Sequence, residues 1–299
     1  MAKDVPIMRK RKKIAVVGAG IGGLVSALKL AHEGFEVKVF ERSEYPGGKI
    51  RTLEANSGPI NIGPTVLTML PIFQNLFREV GEDIFDHLEL KEQNILARHW
   101  WSDGTEFDLF TNKNNTFDEI RNVFGSNAAN QYMEFFHTTE KMFTCFEKPV
   151  MKTVSPAPIE ILKEICKTPT VIPALFPFRT LDKYLKSKFS EPKLQQLFGR
   201  YATYVGGSPL NSPALMALVW QAEAKGVWTV KGGISSVAKA IERLAEDRGV
   251  EFIYGHQVIE IQQSKHLVNK VCLDDGTNYE ADAIIFNGDP RALAVGLIG

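Results

Sequence analysis

The chain has 299 residues, 35 basic against 35 acidic, a formal net charge of zero and a hydrophobic share of 44%. That balance belongs to an ordinary globular protein long enough for two cores, and it removes the electrostatic case for nucleic acid as a partner. Cys145, Cys166 and Cys272 show no C-x-x-C spacing, and no uncharged run is long enough to span a bilayer, so a cytoplasmic chain with at most peripheral membrane contact is expected. The basic cluster at residues 9–13 reads as a solvated tail before the first strand, with weak attraction to anionic lipid as the sharper alternative.

Residues 14–17 form a short apolar, β-branched run suited to a strand buried on both faces of a parallel sheet. Gly18, Gly20 and Gly23 follow as G-x-G-x-x-G. The first allows the tight turn, the second lets a pyrophosphate approach the backbone, and the third lets the next helix pack close to the strand. That helix is expected over residues 21–32, ended by Gly34, and its N-terminus offers N–H groups and partial positive charge to a diphosphate. A second strand at 36–40 delivers Glu41, placed to accept hydrogen bonds from ribose hydroxyls. A lone glycine triplet is weak, but strand, triplet, helix and acid in this order point to a dinucleotide.

Beyond Glu41 comes a second glycine pair, Gly47-Gly48, then Lys49, and Gly63-Pro64-Thr65 reads as a turn after a strand end. A helix is expected over 71–80, then a hairpin from 96–101 to 105–110 about Asp103-Gly104. Its aromatic residues Trp100, Trp101, Phe107 and Phe110 suit either core or a cavity wall. Residues 117–221 read as mainly helical: a helix over 127–148 rich in phenylalanine, another over 194–207 and a third over 213–224. Between them Pro156, Pro158, Pro169, Pro173 and Pro177 break an apolar stretch, which fits a lid, a membrane-dipping segment or a buried connector. The chain then turns at 226–233, forms an amphipathic helix over 235–248, and returns to strands at 251–254, 257–262, 268–273 and 283–286. This return suggests that the last part rejoins the opening sheet and that the helical middle is inserted, with a ligand between the two lobes.

The stretch 18–48, Gly63-Pro64-Thr65-Val66, residues 97–104, FGRYATYVGG at 198–207, Gly226-Val227-Trp228 with Gly232-Gly233, and Asn287-Gly288-Asp289-Pro290 stand in one familiar order. With them the chain resembles the bacterial carotenoid desaturases of the phytoene desaturase family. Within it, the likeness is to the hydroxyneurosporene and methoxyneurosporene desaturases, which act on acyclic hydroxylated carotenoids. The resemblance implies an α/β architecture: a Rossmann-like FAD-binding domain of the amine oxidase and glutathione reductase type, residues 1–70 plus 226–299, with an inserted, mainly helical substrate domain, 71–225. It implies that Gly18, Gly20 and Gly23 hold the FAD diphosphate and Glu41 the adenosine ribose. Gly47, Gly48 and Lys49 would follow the diphosphate and ribityl chain, the Val258 backbone would meet the adenine, and Gly63, Pro64, Thr65 and the Gly232-Gly233 turn would approach the flavin. Family members continue past the Asn287-Gly288-Asp289-Pro290 element to a glycine-rich segment that completes the FAD site, so the chain resembles a fragment of such a protein.

The implied chemistry is desaturation, with a hydride passing to flavin, a proton to a base, and electrons onward to oxygen or a quinone. No side chain declares itself as the base. Among His32, His87, His99, His137, His256 and His266, the candidate is His99, in the strand Arg98-His99-Trp100-Trp101. The rival readings are a phytoene desaturase or other FAD oxidoreductase of the same fold, such as an amine oxidase, and a non-catalytic dinucleotide-binding remnant.

Overall fold

The structure is a computed structural model, and it describes residues 11–56, 58–172, 179–264 and 267–298. Arg9, Lys10, Pro173, Pro177 and His266, which figure in the reading above, lie outside the described residues. The chain divides into two compact units, one running to Lys91 and resuming at Trp228, the other Glu92–Val227.

The first unit is built on a four-stranded parallel sheet. Strand β1 (Lys13–Val17) lies beside β2 (Glu36–Glu41) on one side and Ala283–Phe286 on the other, with Glu251–Tyr254 outside β2. The late strands therefore do rejoin the opening sheet, with Ala15 in register with Lys38 and Ile284. Helix α1 (Ile21–His32) connects β1 to β2, the crossover that parallel strands require. β1 is buried on both faces. Ile14 and Val16 join a core with Leu24 and Leu28 of α1 and with Ile241 and Leu244 of the helix Ser235–Glu246. Ala15 and Val17 point the other way, onto Phe40, Val258, Val271 and Leu273. Those last three belong to an antiparallel sheet of Val258–Ser264, Leu267–Leu273 and Asn278–Glu280. Each such aliphatic side chain stabilises the fold by about 1.5–3 kcal/mol through burial.

One boundary moves. The first unit ends at Lys91 rather than at residue 70, because helix Leu70–Glu79 and the short helix Ile84–His87 bury Leu76, Phe77, Ile84 and Leu88 in the same core as Val16. The segment 226–233 is also more than a turn: Val227–Val230 is a strand, as its β-branched and aromatic residues favour.

The second unit holds the hairpin Ile95–Trp100 and Glu106–Phe110, clamped by two hydrogen bonds from Arg98 to Asp108 at 2.6 and 2.7 Å. Its core is aromatic. Tyr132, Phe135 and Phe136, on helix Ser126–Phe146, pack on Phe189, Phe198 and Trp220, with Phe135 4.7 Å from Phe198 between ring centroids. These residues, and Phe107 of the hairpin, are core, whereas Trp100 is 65% exposed. The Trp220 indole N–H donates to Thr139 at 2.8 Å, which satisfies the polar end of a buried ring.

Two expected helices break. Over 194–207 the α-helix stops at Gly199 and Arg200–Val205 tightens to a 3-10 helix, where glycine and the β-branched Thr203 and Val205 weaken α propensity. Over 213–224 a 3-10 turn, Ala214–Leu218, precedes a short α-helix, Gln221–Ala224. Within the proline-rich stretch, helix Pro158–Lys167 has no buried residue and leaves Ile159 and Leu162 exposed.

Candidate functional site

In the first unit the chain leaves β1 at Gly18, whose φ of +98° suits glycine and whose N–H donates to the Phe40 carbonyl at 2.8 Å. A Cβ on Gly23 would stand 1.9 Å from the Gly18 carbonyl oxygen, so only glycine lets α1 begin this close to the strand. No side chain caps α1 at Gly20, which leaves its first-turn N–H groups and the positive end of its dipole to face an anion.

The second glycine pair returns to the first. The Gly47 N–H donates to the Ala19 carbonyl at 2.9 Å, Gly20 and Gly47 form a parallel bridge, and a Cβ on Gly48 would lie 3.1 Å from the Gly20 Cα. A Cβ on Gly63 would lie 2.1 Å from the Lys49 carbonyl, and one on Gly233 2.7 Å from the Asn61 side chain. Gly18, Gly20, Gly23, Gly47 and Gly48 thus form one close-packed glycine strip, while the missing side chains of Gly63 and Gly233 make room for the Lys49 carbonyl and for Asn61. Pro64 and Thr65 follow Gly63 at the surface.

Glu41 is buried at 7% exposure. Its Oε2 accepts the Ala19 N–H at 2.8 Å and its Oε1 the Ser43 N–H at 3.0 Å. A carboxylate offers about four lone-pair sites, so two remain for further donors. The link before Val258 folds onto the same corner, with Gly255 and His256 N–H groups donating to the Ser43 and Glu41 carbonyls at 3.2 and 3.3 Å. The set suits a dinucleotide: uncapped N–H donors at the start of α1 for a diphosphate, and a buried carboxylate with lone pairs to spare for ribose hydroxyls.

Two contributors escaped the sequence reading. Asn287 donates its backbone N–H to Val17 at 2.8 Å, and its side chain fills the space beside Gly20 and Gly22, where a Cβ would stand 3.1 and 2.6 Å away. Asn61 backs the Gly233 turn. The signal for Asn287 was its position just past a strand parallel to β1; for Asn61 there was none.

His99 lies in the second unit, stacked on Trp101 at 5.8 Å between ring centroids. Burial first, then the positive charge of Arg200, hold its imidazole below the ordinary histidine value, so it is neutral near pH 7. Arg200 leads to a network that the sequence did not reveal. Glu223, 7% exposed, accepts from Arg200 Nη2 at 2.7 Å, from the Tyr201 hydroxyl at 2.6 Å and from the Tyr204 hydroxyl. The 3-10 geometry explains the pairing of tyrosines: at three residues per turn, 201 and 204 share one edge. Burial, with Glu223 adjacent, pushes both phenols up from their ordinary value, the buried Tyr201 well above it. The available signal was that Glu223 is the sole charge in residues 213–224. Of the other histidines, His87 bonds Glu82 at 3.1 Å, while His137 and His256 sit at the surface beside the carboxylates of Glu140 and Asp274.

Residues 21–298 match the family described as flavin-containing amine oxidoreductase. The chain belongs to that family. Membership implies a flavin cofactor, in keeping with the glycine strip. The chain is similar to the hydroxyneurosporene desaturase of Cereibacter sphaeroides, 43% identical over 287 residues that cover 96% of this chain and 58% of that protein. To the hydroxyneurosporene desaturase of Rhodobacter capsulatus it is 40% identical over 292 residues, 98% of this chain and 59% of that one. It therefore spans about three fifths of the length of these relatives. A solved oxidoreductase from Methanosarcina mazei shares the fold, with a TM-score of 0.66 at 18% identity, covering 96% of this chain and 61% of that one. Among the described residues no helix is long and apolar enough to cross a membrane.

Proposed function

We propose that this chain serves the FAD-dependent desaturation of an acyclic, hydroxylated carotenoid. The observation that carries the reading is the close-packed glycine turn at the start of α1, Gly18 to Gly23 against Gly47 and Gly48 with the Glu41 carboxylate beside it, on a chain whose relatives are named desaturases. The α1 N–H groups, with Gly18, Gly20 and Gly23, hold the diphosphate. Glu41 uses its remaining lone pairs for the adenosine ribose, and the Val258 backbone meets the adenine. Gly47, Gly48 and Lys49 follow the ribityl chain, while Gly63, Pro64 and Thr65 border the flavin. Bound flavin supplies the capacity to accept a hydride. The unit that runs to Lys91 and resumes at Trp228 is the cofactor domain, and Glu92–Val227 the substrate domain. His99, uncharged and aromatic-walled, is the candidate to receive the proton.

The substrate dissolves in lipid, so the chain works as a peripheral protein on the cytoplasmic face of a bacterial membrane. Exposed Val154, Ile159, Leu162 and Ile172 support that contact. Oxygen or a quinone takes the electrons away.

The test is the visible spectrum of the purified chain, with chromatography of nucleotide released on denaturation. Near-stoichiometric FAD is expected, followed by turnover of a hydroxylated carotenoid to a longer polyene absorbing further to the red. Recovery of NAD would overturn the FAD reading. Recovery of no nucleotide would deny this chain a cofactor site of its own.

A further inference from the structure

In the first unit, three side chains of metal-ligand type meet at one end of the antiparallel sheet, and none of them belongs to the glycine strip. The strand register brings them together. Val258 pairs with Leu273, and the Asp274 N–H donates to the Gln257 carbonyl at 2.9 Å. His256, just before one strand, therefore faces Asp274 and Asp275, just after its neighbour. Asp275 is held further, since its Oδ1 accepts the Thr277 N–H at 2.8 Å and leaves Oδ2 toward the imidazole.

Their spacing is that of ligands on one ion. His256 Nδ1 stands 3.6 Å from Asp274 Oδ1 and 3.5 Å from Asp275 Oδ2, and one ligand atom from each residue lies within 4.8 Å of the other two. Separations of 3.5 and 3.6 Å exceed the N–H···O range, which ends at about 3.2 Å. They come close to the edge of a tetrahedron around a single ion, about 3.4 Å when each bond is about 2.1 Å. Adjacent carboxylates also repel each other, and among the described residues neither forms an ion pair with a lysine or arginine.

The donor set decides the class of ion. One imidazole nitrogen beside two carboxylate oxygens suits a divalent transition metal such as zinc, whereas magnesium and calcium favour oxygen alone. Two negative charges balance the ion. All three side chains reach solvent, which gives the ion a path in and lets water complete its coordination.

We infer that His256, Asp274 and Asp275 bind one divalent transition-metal ion through Nδ1, Oδ1 and Oδ2. The ion ties the start of strand Val258–Ser264 to the turn that follows Leu267–Leu273. It does so beside the Glu41 corner, because the His256 N–H donates to the Glu41 carbonyl. The inference stands independently of the carotenoid reading.

The test is titration of the purified, untagged chain with cobalt(II), followed by its visible absorption, and then displacement by zinc. Saturation at one ion per chain is expected, without a thiolate charge-transfer band in the near ultraviolet, and excess magnesium should not compete. His256→Gln and Asp275→Asn each remove one ligand at the surface, and the asparagine keeps the Oδ1 acceptor for Thr277. With folding checked by circular dichroism, each variant should weaken cobalt binding by roughly tenfold or more, a loss seen even for groups one step removed from a metal. Absence of saturable binding would overturn the inference and leave His256 a plain surface ion pair. A thiolate band, which would put the ion on a cysteine, or binding unchanged in both variants would overturn it as well.

Discussion

The glycine strip of the first unit and the Arg200–Glu223 network of the second both present hydrogen-bonding groups on an apolar foundation, but they do so by opposite means. The strip works by what is missing. Its donors are backbone N–H groups, and its shape comes from positions where a Cβ would strike backbone, as at Gly23 and Gly63. The network works by side chains brought from separate segments, Arg200 to Tyr204 from a 3-10 helix and Glu223 from a short α-helix. A backbone site is written in local sequence. A side-chain site is written in the packing of the core beneath it, here Tyr132, Phe135, Phe198 and Trp220.

The comparison breaks first at Gly23. Gly23→Ala sets a methyl group 1.9 Å from a backbone oxygen that cannot step aside without moving β1 or α1. A loss of about 3 kcal/mol is expected from such overpacking, read from the urea midpoint at constant slope, with loss of bound flavin alongside. Gly34→Ala is the control. Its φ of +88° is strained for alanine but the space around it is open, so about 1 kcal/mol is expected and the flavin stays. Equal losses at the two positions would mean that α1 shifts to make room, so that the close approach at Gly23 costs no more than a strained backbone in open space.

Glu223→Ala comes next. It strands the Arg200 charge and the Tyr201 hydroxyl in a largely buried setting. Full burial would put the loss near 3–5 kcal/mol; because the Arg200 side chain is 36% exposed, water screens part of it and about 2 kcal/mol is expected in the same unfolding assay. Glu223→Gln, which keeps an acceptor, should recover part of this. If Ala and Gln variants are equally stable, the network is held by its aromatic core and the hydrogen bonds add little.

Glu41→Gln sharpens the contrast, because Glu41 is a charged side chain in a site otherwise built largely of backbone. It exchanges one of two charge-assisted acceptors for an amide, at a cost of about 1.5 kcal/mol, with weaker retention of flavin. Flavin retained at wild-type affinity would remove Glu41 from the ribose.

Much of the fold of the first unit was legible in the sequence because its signals are short-range: strand, glycine triplet, helix and acid lie within 13–41. What was not legible depends on distance along the chain. The helix at 70–79 gives no local sign that Phe77 belongs to the core of β1, so the unit boundary fell too early. Asn287 meets Gly18 across nearly the whole chain. In the second unit, helical periodicity found the aromatic core but hid the break at Gly199. That break turns Tyr201 and Tyr204 to one edge, and so builds the network that the periodicity alone could not foretell.

The smallest expected effect concerns pH and returns to His99. The groups acting on its ring are the desolvating core, Arg200, Asp108 and Glu223, of which burial and Arg200 outweigh the two acids and depress its pKa. The unfolded chain has an ordinary histidine there, so on acidification it takes up the proton first. The stability tied to a neutral His99 is therefore complete above about pH 6.5 and is lost progressively as pH falls toward the folded-state value. His99→Phe, which cannot titrate, should flatten that part of the stability profile, measured as the difference between wild-type and variant unfolding midpoints from pH 8 to 5.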